Sequence, residues 1–508
     1  MARNHRQPTT TDGTLLHKLT RLLEHSWFFA GTLILLIVQA LWLTLTAAYP
    51  LPFDEYYHFG IIKVYAEQWS PFITQQPPEA SLLGDITRTP SYLFHYLMSF
   101  PYRVLDSIFP TDTGVIISLR LLNIGLFTLG LVLFRKLLLS MRVPRKITHL
   151  ALFIIVCLPI TPFLAAHINY DNLLFTLTPI VLWLAYRQTT RQRPSTTMLV
   201  LLVTTGTLTS LVKETFLPIY LICLLYVAVT LIYRYKQRLA GLLWQDFYRR
   251  TLVVRFGLVL MLVFSIGMFV ERYGVNQVRY GGYNAECSVV QPLSVCEQYA
   301  PWYRNQQNKL NKPVTPLYGN FFSYTQHWVS KVQRGYFAIF SHTPTAVVSD
   351  KEPFGPIVAR PLLPLPVTIA SIAVVLGFSA VLLQIKTLWR RPAYRFSIVV
   401  ILFYGVVVLL FNYRQYLDLG AAQAIQARYL MPLLPLTVAL MIQAVSWTMP
   451  SRTRLKGITL ASAMLIFVYG SGITGWLIRS DSLWYWQNQT VIQVNETVGD
   501  ALKNIVWH

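Results

Sequence analysis

Long apolar runs broken by short polar or basic segments dominate this chain. Residues 27–49 (WFFAGTLILLIVQALWLTLTAAY) contain no charge. A bilayer-spanning helix needs about 20 apolar residues, so this run is long enough. Further spans are expected at 113–134, 147–164, 172–186, 197–212, 215–233, 253–270, 366–385, 396–412, 429–447 and 457–478. The pattern predicts an all-α polytopic membrane protein with about 11 transmembrane helices. The first run follows 26 polar, basic residues and ends in Ala47-Ala48-Tyr49, a poor signal-peptidase site, so it reads as a retained helix. No repeat at a 20–50 residue period is visible, which argues against a solenoid.

Two inter-span segments are long. Residues 50–112 carry eight prolines between aromatic amphipathic runs, which suit helices lying in the interface plane. Residues 271–361 are polar and rich in Tyr, Asn and Gln. The expected organisation is a segment 1–26, a catalytic membrane module 27–270 containing the outer loop 50–112, an outer loop 271–361, C-terminal helices 362–478 and an outer tail 479–508.

Composition agrees: 54% of residues are hydrophobic and 13% charged, against about a quarter charged in soluble domains. The net charge of +22 could suggest nucleic acid, but its distribution points elsewhere. Alternate segments (the N-terminus, 135–146, 187–193, 234–255, 386–395 and 452–456) hold more than half of the 43 Lys and Arg. Of the 21 acids they hold only Asp12, Glu24 and Asp246. The positive-inside rule then puts the N-terminus in the cytoplasm and the C-terminus outside. Contact with anionic membrane lipids accounts for the charge, and no nucleic-acid partner is implied. Cys157 and Cys223 fall inside spans. Cys287 and Cys296 share an outer loop, where an oxidising compartment would allow a disulfide. Asn488 and Asn495 head glycosylation sequons.

The acids gather at the outer ends of spans, where ionisable groups are functional candidates. In Pro52-Phe53-Asp54-Glu55-Tyr56-Tyr57-His58-Phe59, two carboxylates follow the first helix and a histidine comes one turn later. On a helix, Asp54 or Glu55 shares a face with His58. Such a carboxylate can act as general base, its pKa raised by partial burial, or can ligate a divalent cation. Alternatively, Asp54 simply caps the next helix. Arg88, before Pro90, could hold a phosphate at a helix N-terminus or contact headgroups. His167-Ile-Asn-Tyr-Asp171-Asn172 is a dense polar knot or a polar turn. Lys213 and Arg428 stand at outer boundaries, where a cation either holds an anion or snorkels.

The acidic pair after the first helix, the interfacial runs, the Arg88-to-Pro90 element, the His167–Asp171 turn and Ala427-Arg428-Tyr429-Leu430-Met431-Pro432 together resemble the GT-C superfamily of integral membrane glycosyltransferases. Protein mannosyltransferases, the aminoarabinose transferases of lipid A and uncharacterised bacterial membrane proteins belong to it. The likeness covers about the first 220 residues and the Arg428 element. It implies an inverting enzyme at the bacterial plasma membrane that moves a sugar from a polyprenyl-phosphate donor to a glycan, lipid or protein acceptor on the outer face. Asp54 would be the base or the acceptor-orienting carboxylate, with Glu55 as its acidic neighbour. Arg88 would meet the donor phosphate and Asp171 would be the second acid. One departure is that the double Pro of the basic element is a single Pro90 followed by Ser91. His58 as a catalytic residue, and His167, Lys213 and Arg428 as binding residues, rest on the sequence alone. Some members use a divalent cation (Mg or Mn), for which Asp54 and Asp171 are the ligand candidates. Two rivals are a polysaccharide polymerase or ligase, which would depend on Arg and His of 271–361, and a flippase or transporter. The latter would need charges in mid-span, and the spans read as nearly charge-free.

Overall fold

The computed structural model describes residues 21–52, 54–342, 357–359, 364–448 and 472–507. Within these the regular structure is helical apart from a three-residue antiparallel pairing of Phe340–His342 with Ile357–Ala359 and a single bridge between Ala47 and Tyr485. The main helices are numbered in chain order. α1 (Ser26–Thr46) is followed by α2 (Glu55–Ala66), α3 (Leu93–Ile108), α4 (Asp112–Ser140), α5 (Arg145–Cys157) and α6 (Ile160–Ala165). Then come α7 (Tyr170–Thr190), α8 (Thr196–Val212), α9 (Leu217–Tyr235), α10 (Leu252–Phe269), α11 (Ala300–Leu310) and α12 (Phe321–Gly335). The chain continues through α13 (Pro364–Leu383), α14 (Pro392–Leu419), α15 (Leu434–Thr448), α16 (Gly472–Arg479) and α17 (Gln489–Trp507).

Seven segments among the described residues are long and apolar enough to cross a membrane: Ser26–Thr46, Asp112–Ser140, Glu214–Tyr248, Leu252–Tyr280, Leu365–Leu383, Pro392–Leu419 and Ala427–Thr448. The count of eleven is not reached, for identifiable reasons. The run 147–164 is broken at Leu158-Pro159 into α5 and α6, because proline removes a donor and clashes with the preceding turn. α8 has only 17 residues. α7 is long enough but carries Asp171, Asn172, Thr176, Thr178 and Gln188, all buried against its neighbours rather than presented to lipid. Most of 457–478 lies outside the described residues, as does much of 1–26.

α7 packs along α4. Phe127 and Phe175 stack at 4.2 Å. Gly130 makes this possible, since a Cβ there would meet the Phe175 ring at 2.5 Å. In the first long loop, α3 leaves Leu97, Phe100, Val104 and Ile108 exposed at three- and four-residue spacing. Such a stripe suits the interface plane. The chain after α16 returns to the C-terminal end of α1, where Ala48 N–H donates to the Trp484 carbonyl (3.0 Å) and Trp486 N–H to that of Thr46 (3.0 Å). The tail therefore shares one end of the bundle with the 50–112 loop. There Asn495 is buried and its side chain accepts from Trp42 Nε1 (2.9 Å), so the folded chain does not offer that sequon, whereas Asn488 is exposed. Cys287 and Cys296 are disulfide-bonded, and Cys157 and Cys223 are free and buried.

Candidate active site

Asp54 occupies the N-cap position of α2 but does not cap it with its side chain. Its backbone is left-handed (φ 73°), a conformation that Asp tolerates better than most residues. The carboxylate is turned away from the helix and accepts a hydrogen bond from Arg428 Nη2 at 2.7 Å. These residues are 374 positions apart. Arg428 sits in a tight turn, Ala427–Leu433, entering α15, and also donates through Nε to Gln426 Oε1. Its Nη1 lies 3.7 Å from Asp171 Oδ2, and Lys213 Nζ is 2.5 Å from Asp171 Oδ1. Asp171, in the first turn of α7, is placed there by Asn169, the N-cap whose Oδ1 accepts from the Asp171 N–H (2.7 Å). Four residues from four parts of the chain thus form a chain of alternating charge, Asp54–Arg428–Asp171–Lys213.

Asp54 and Arg428 lie on the wall of a cavity of about 770 Å³. The side chain of Asp54 is 46% exposed, while those of Arg428 and Asp171 are 2% and 6% exposed. Burial pushes the Asp54 carboxyl up, but the Arg428 guanidinium outweighs it and holds the group below the ordinary carboxylate value. This corrects the expectation of a raised pKa: Asp54 is an anion fixed by a cation.

Glu55 is separate from that chain. It is fully buried and forms a bidentate pair with Arg120, at 2.9 Å (Nε to Oε1) and 2.7 Å (Nη2 to Oε2). Its oxygens also accept from Leu51 N–H (2.7 Å) and Ile168 N–H (3.0 Å), and Arg120 Nη1 donates to the Ala47 carbonyl (2.8 Å). One pair thereby ties together the end of α1, the start of α2, α4 and the turn before α7. Glu55 does not line the cavity. Arg120 lies in the expected span 113–134, among spans read as nearly charge-free, and an Arg inside a span is itself a signal of a buried partner.

His58 lines the cavity. Its Nδ1 is 2.8 Å from His95 Nε2, and its Nε2 is buried with no hydrogen-bond partner among the described residues. Burial pushes both rings down, His58 well below the ordinary histidine value and His95 to about 3, so both are neutral near pH 7. His167 stands behind the wall, bonded to the Phe163 carbonyl (2.8 Å) and to Asn169 (3.1 Å). Arg88 is turned away: Nη1 and Nη2 engage Glu271 (2.7 and 2.6 Å) and Nε engages Asn276 (2.8 Å). Neither lines the cavity, although Thr89 and Ser91, beside Arg88, do.

For a divalent cation the fit is poor. Arg428 holds Asp54 and contacts Asp171, Lys213 holds the other Asp171 oxygen, and no group of three or more His, Cys, Asp or Glu converges among the described residues. The two carboxylates proposed as ligands are already committed to cations of the protein.

The far wall comes from the 271–361 loop, to which the sequence assigned a role only in the rival polymerase or ligase reading. It contributes Tyr299, Trp302 and Arg304 from the start of α11 and its approach. The Arg304 guanidinium makes no hydrogen bond or ion pair among the described residues. Gly84, opposite, has φ +82°, and a Cβ there would meet the Tyr299 ring at 2.9 Å. The loop therefore closes onto the first loop at a position only glycine fills without strain. Nothing local distinguishes Arg304 from the other cations of its loop; its place depends on this contact.

No family model matches the sequence, and no curated protein matches it. Among solved structures, the archaeal oligosaccharyltransferase AglB from Archaeoglobus fulgidus, in complex with an inhibitory peptide and a dolichol-phosphate, aligns with a TM-score of 0.35 and 11% identity. The alignment covers 93% of this chain and 60% of that one. A likeness this slight transfers no residue roles.

Proposed function

We propose that the chain is a membrane glycosyltransferase that moves a sugar from a polyprenyl-phosphate donor to an acceptor hydroxyl, with Asp54 as the proton-accepting carboxylate. One observation carries this reading: a carboxylate held at 2.7 Å by a buried arginine, on the wall of a cavity of about 770 Å³ at the ends of apolar helices. A lipid-linked donor can reach such a place from the bilayer, and the cavity has room for a sugar. Tyr57, Tyr299 and Trp302 line it with aromatic surface, and Asp85 and Glu214 line it with carboxyl groups that can meet sugar hydroxyls.

The acceptor oxygen attacks the anomeric carbon as the bond to the phosphate oxygen breaks. This is a single displacement with inversion, and the hydroxyl proton passes to Asp54. Asp54 is a weak base in the ground state, so the transfer becomes favourable only as the attacking hydroxyl turns acidic in the transition state. Arg428, next to Asp171, keeps a partner when Asp54 is neutralised. Arg304 can meet the charge growing on the leaving lipid phosphate.

Asp54→Asn tests the reading. Asn keeps the size but not the charge, and Asp54 makes no side-chain cap that the change could break. The variant is expected to reach the membrane at parental level and to lose at least about a hundredfold in transfer from a polyprenyl-phosphate sugar, since proton transfer typically contributes 10²–10⁴-fold. Parental transfer rates in a well-folded Asp54→Asn variant would overturn it.

A further inference from the structure

A second cavity, of about 570 Å³, lies at the other end of the bundle. α7 connects the two: Tyr170 lines the first cavity, and Tyr186, Arg187, Thr189 and Thr190 line the second. α4 spans the same distance, from Asp112 beside Lys63 of α2 to Ser140 in the second cavity. Its 29 residues at 1.5 Å per residue are roughly 43 Å. In a chain that crosses a bilayer, the two cavities open on opposite faces.

The lining of the second cavity is strongly one-sided. It contains Arg142, Arg187, Arg234, Arg391 and Arg395 and no Asp or Glu. What holds these arginines is neutral. Arg234 donates to the Arg191 carbonyl (2.9 Å), Arg395 to Tyr226 Oη (3.4 Å), and Arg391 lies over the Trp447 ring at 4.6 Å. Among the described residues none of the five makes an ion pair, and the side chains of Arg142 and Arg187 make no hydrogen bond. Arg142 is held in a left-handed turn (φ 60°) immediately after α4. Five like charges brought to one cavity repel one another unless an anion joins them. Planar guanidinium groups are suited to phosphate, which they grip with paired N–H donors.

We propose that this cavity binds the phosphate-bearing headgroup of an anionic phospholipid from the leaflet opposite the Asp54 cavity. Phosphate is the shared chemistry; the surroundings favour a lipid as its source. On α9, Tyr226, Thr230 and Arg234 line the cavity at four-residue spacing. Beside them on the same helix, Leu225, Val229 and Ile232 are exposed, an apolar strip on which an acyl chain can lie while its headgroup sits among the arginines. The site is independent of the transfer chemistry and does not rest on it.

The test is native mass spectrometry of the delipidated full chain in detergent, titrated with phosphatidylglycerol, with phosphatidylcholine as the neutral-headgroup control and inorganic phosphate as the soluble arm. The parent is expected to retain one phosphatidylglycerol in preference to phosphatidylcholine. Arg142→Gln and Arg187→Gln should each weaken that binding at least about tenfold, because a hydrogen bond to a charged group is worth about 1.5–3 kcal/mol and 1.4 kcal/mol is tenfold. Arg187→Lys, which keeps the charge but not the paired donors, should bind more tightly than Arg187→Gln and less tightly than the parent. These two side chains make no hydrogen bond or ion pair among the described residues, so their variants are expected to melt as the parent does; if the Arg142 variant is unstable, the Arg187 pair alone decides. Equal retention of both lipids overturns the proposal, as does unchanged phosphatidylglycerol binding in the Gln variants. Inorganic phosphate that binds at the arginines while phosphatidylglycerol does not would overturn the lipid assignment in favour of a soluble anion.

Discussion

Glu55→Ala should damage the fold, not merely the chemistry, and the size of the effect follows from its surroundings. The carboxylate is fully buried, so removing it leaves the Arg120 guanidinium, also fully buried, without its counter-ion. Breaking a buried pair in this way costs about 3–5 kcal/mol. The Leu51 and Ile168 N–H groups lose their acceptor as well, which places the loss toward the upper part of that range. The measurement is reversible unfolding of the purified chain in mixed micelles, followed by circular dichroism. A double variant, Glu55→Leu with Arg120→Met, removes both charges and should recover at least about 2 kcal/mol, because hydrophobic replacement of a buried pair is often neutral or better. The pair also predicts a pH dependence. Burial pushes the Glu55 carboxyl up, but Arg120 outweighs it and the folded value lies below the ordinary one. Its contribution is therefore complete above the unfolded carboxylate value and is lost as pH falls through the folded value. Glu55→Gln should lack that acid limb. Stability within about 0.5 kcal/mol of the parent in Glu55→Ala would refute the structural role, and the catalytic role would then be the one to pursue.

Three further outcomes are expected. Arg428→Gln leaves Asp54 without its cation, so transfer should fall at least about tenfold and the Asp54 carboxyl should titrate higher than in the parent, observable as a shifted acid limb of the rate profile; an unmoved limb would separate Arg428 from Asp54. Alkylation of the denatured chain should label two cysteines, Cys157 and Cys223, before reduction and four after it, and four labels without reduction would remove the Cys287–Cys296 bond. A reporter fused after His508 should read outside and one placed within 234–255 inside, and the reverse result would put the Asp54 cavity on the cytoplasmic face.

The spans and the placement of acids were legible in the sequence because both follow from local physics. An apolar run of about 20 residues has few alternatives to a membrane helix, and charge avoids hydrocarbon wherever it lacks a partner. Among the described residues, seven of the expected runs form helices of spanning length and composition; α7 falls short because of its polar residues, which its helix neighbours bury. Asp54 was singled out by its position after α1, yet the sequence left it between helix cap and site residue. A cap is a local interaction and Arg428 is 374 residues away, so no window along the chain contains both. For the same reason adjacent residues had to be separated in space: Asp54 and Glu55 read as one acidic pair, but a left-handed Asp54 sends its carboxylate to Arg428 while Glu55 turns inward to Arg120. Arg88 and Arg304 make the converse case. Each is one cation among many along the chain, and packing alone occupies the first with Glu271 and brings the second to the cavity wall. Hydrophobic pattern is a one-dimensional property and survives in the sequence; the pairing of charges is a three-dimensional one, decided when helices far apart in the chain come within about 3 Å of each other.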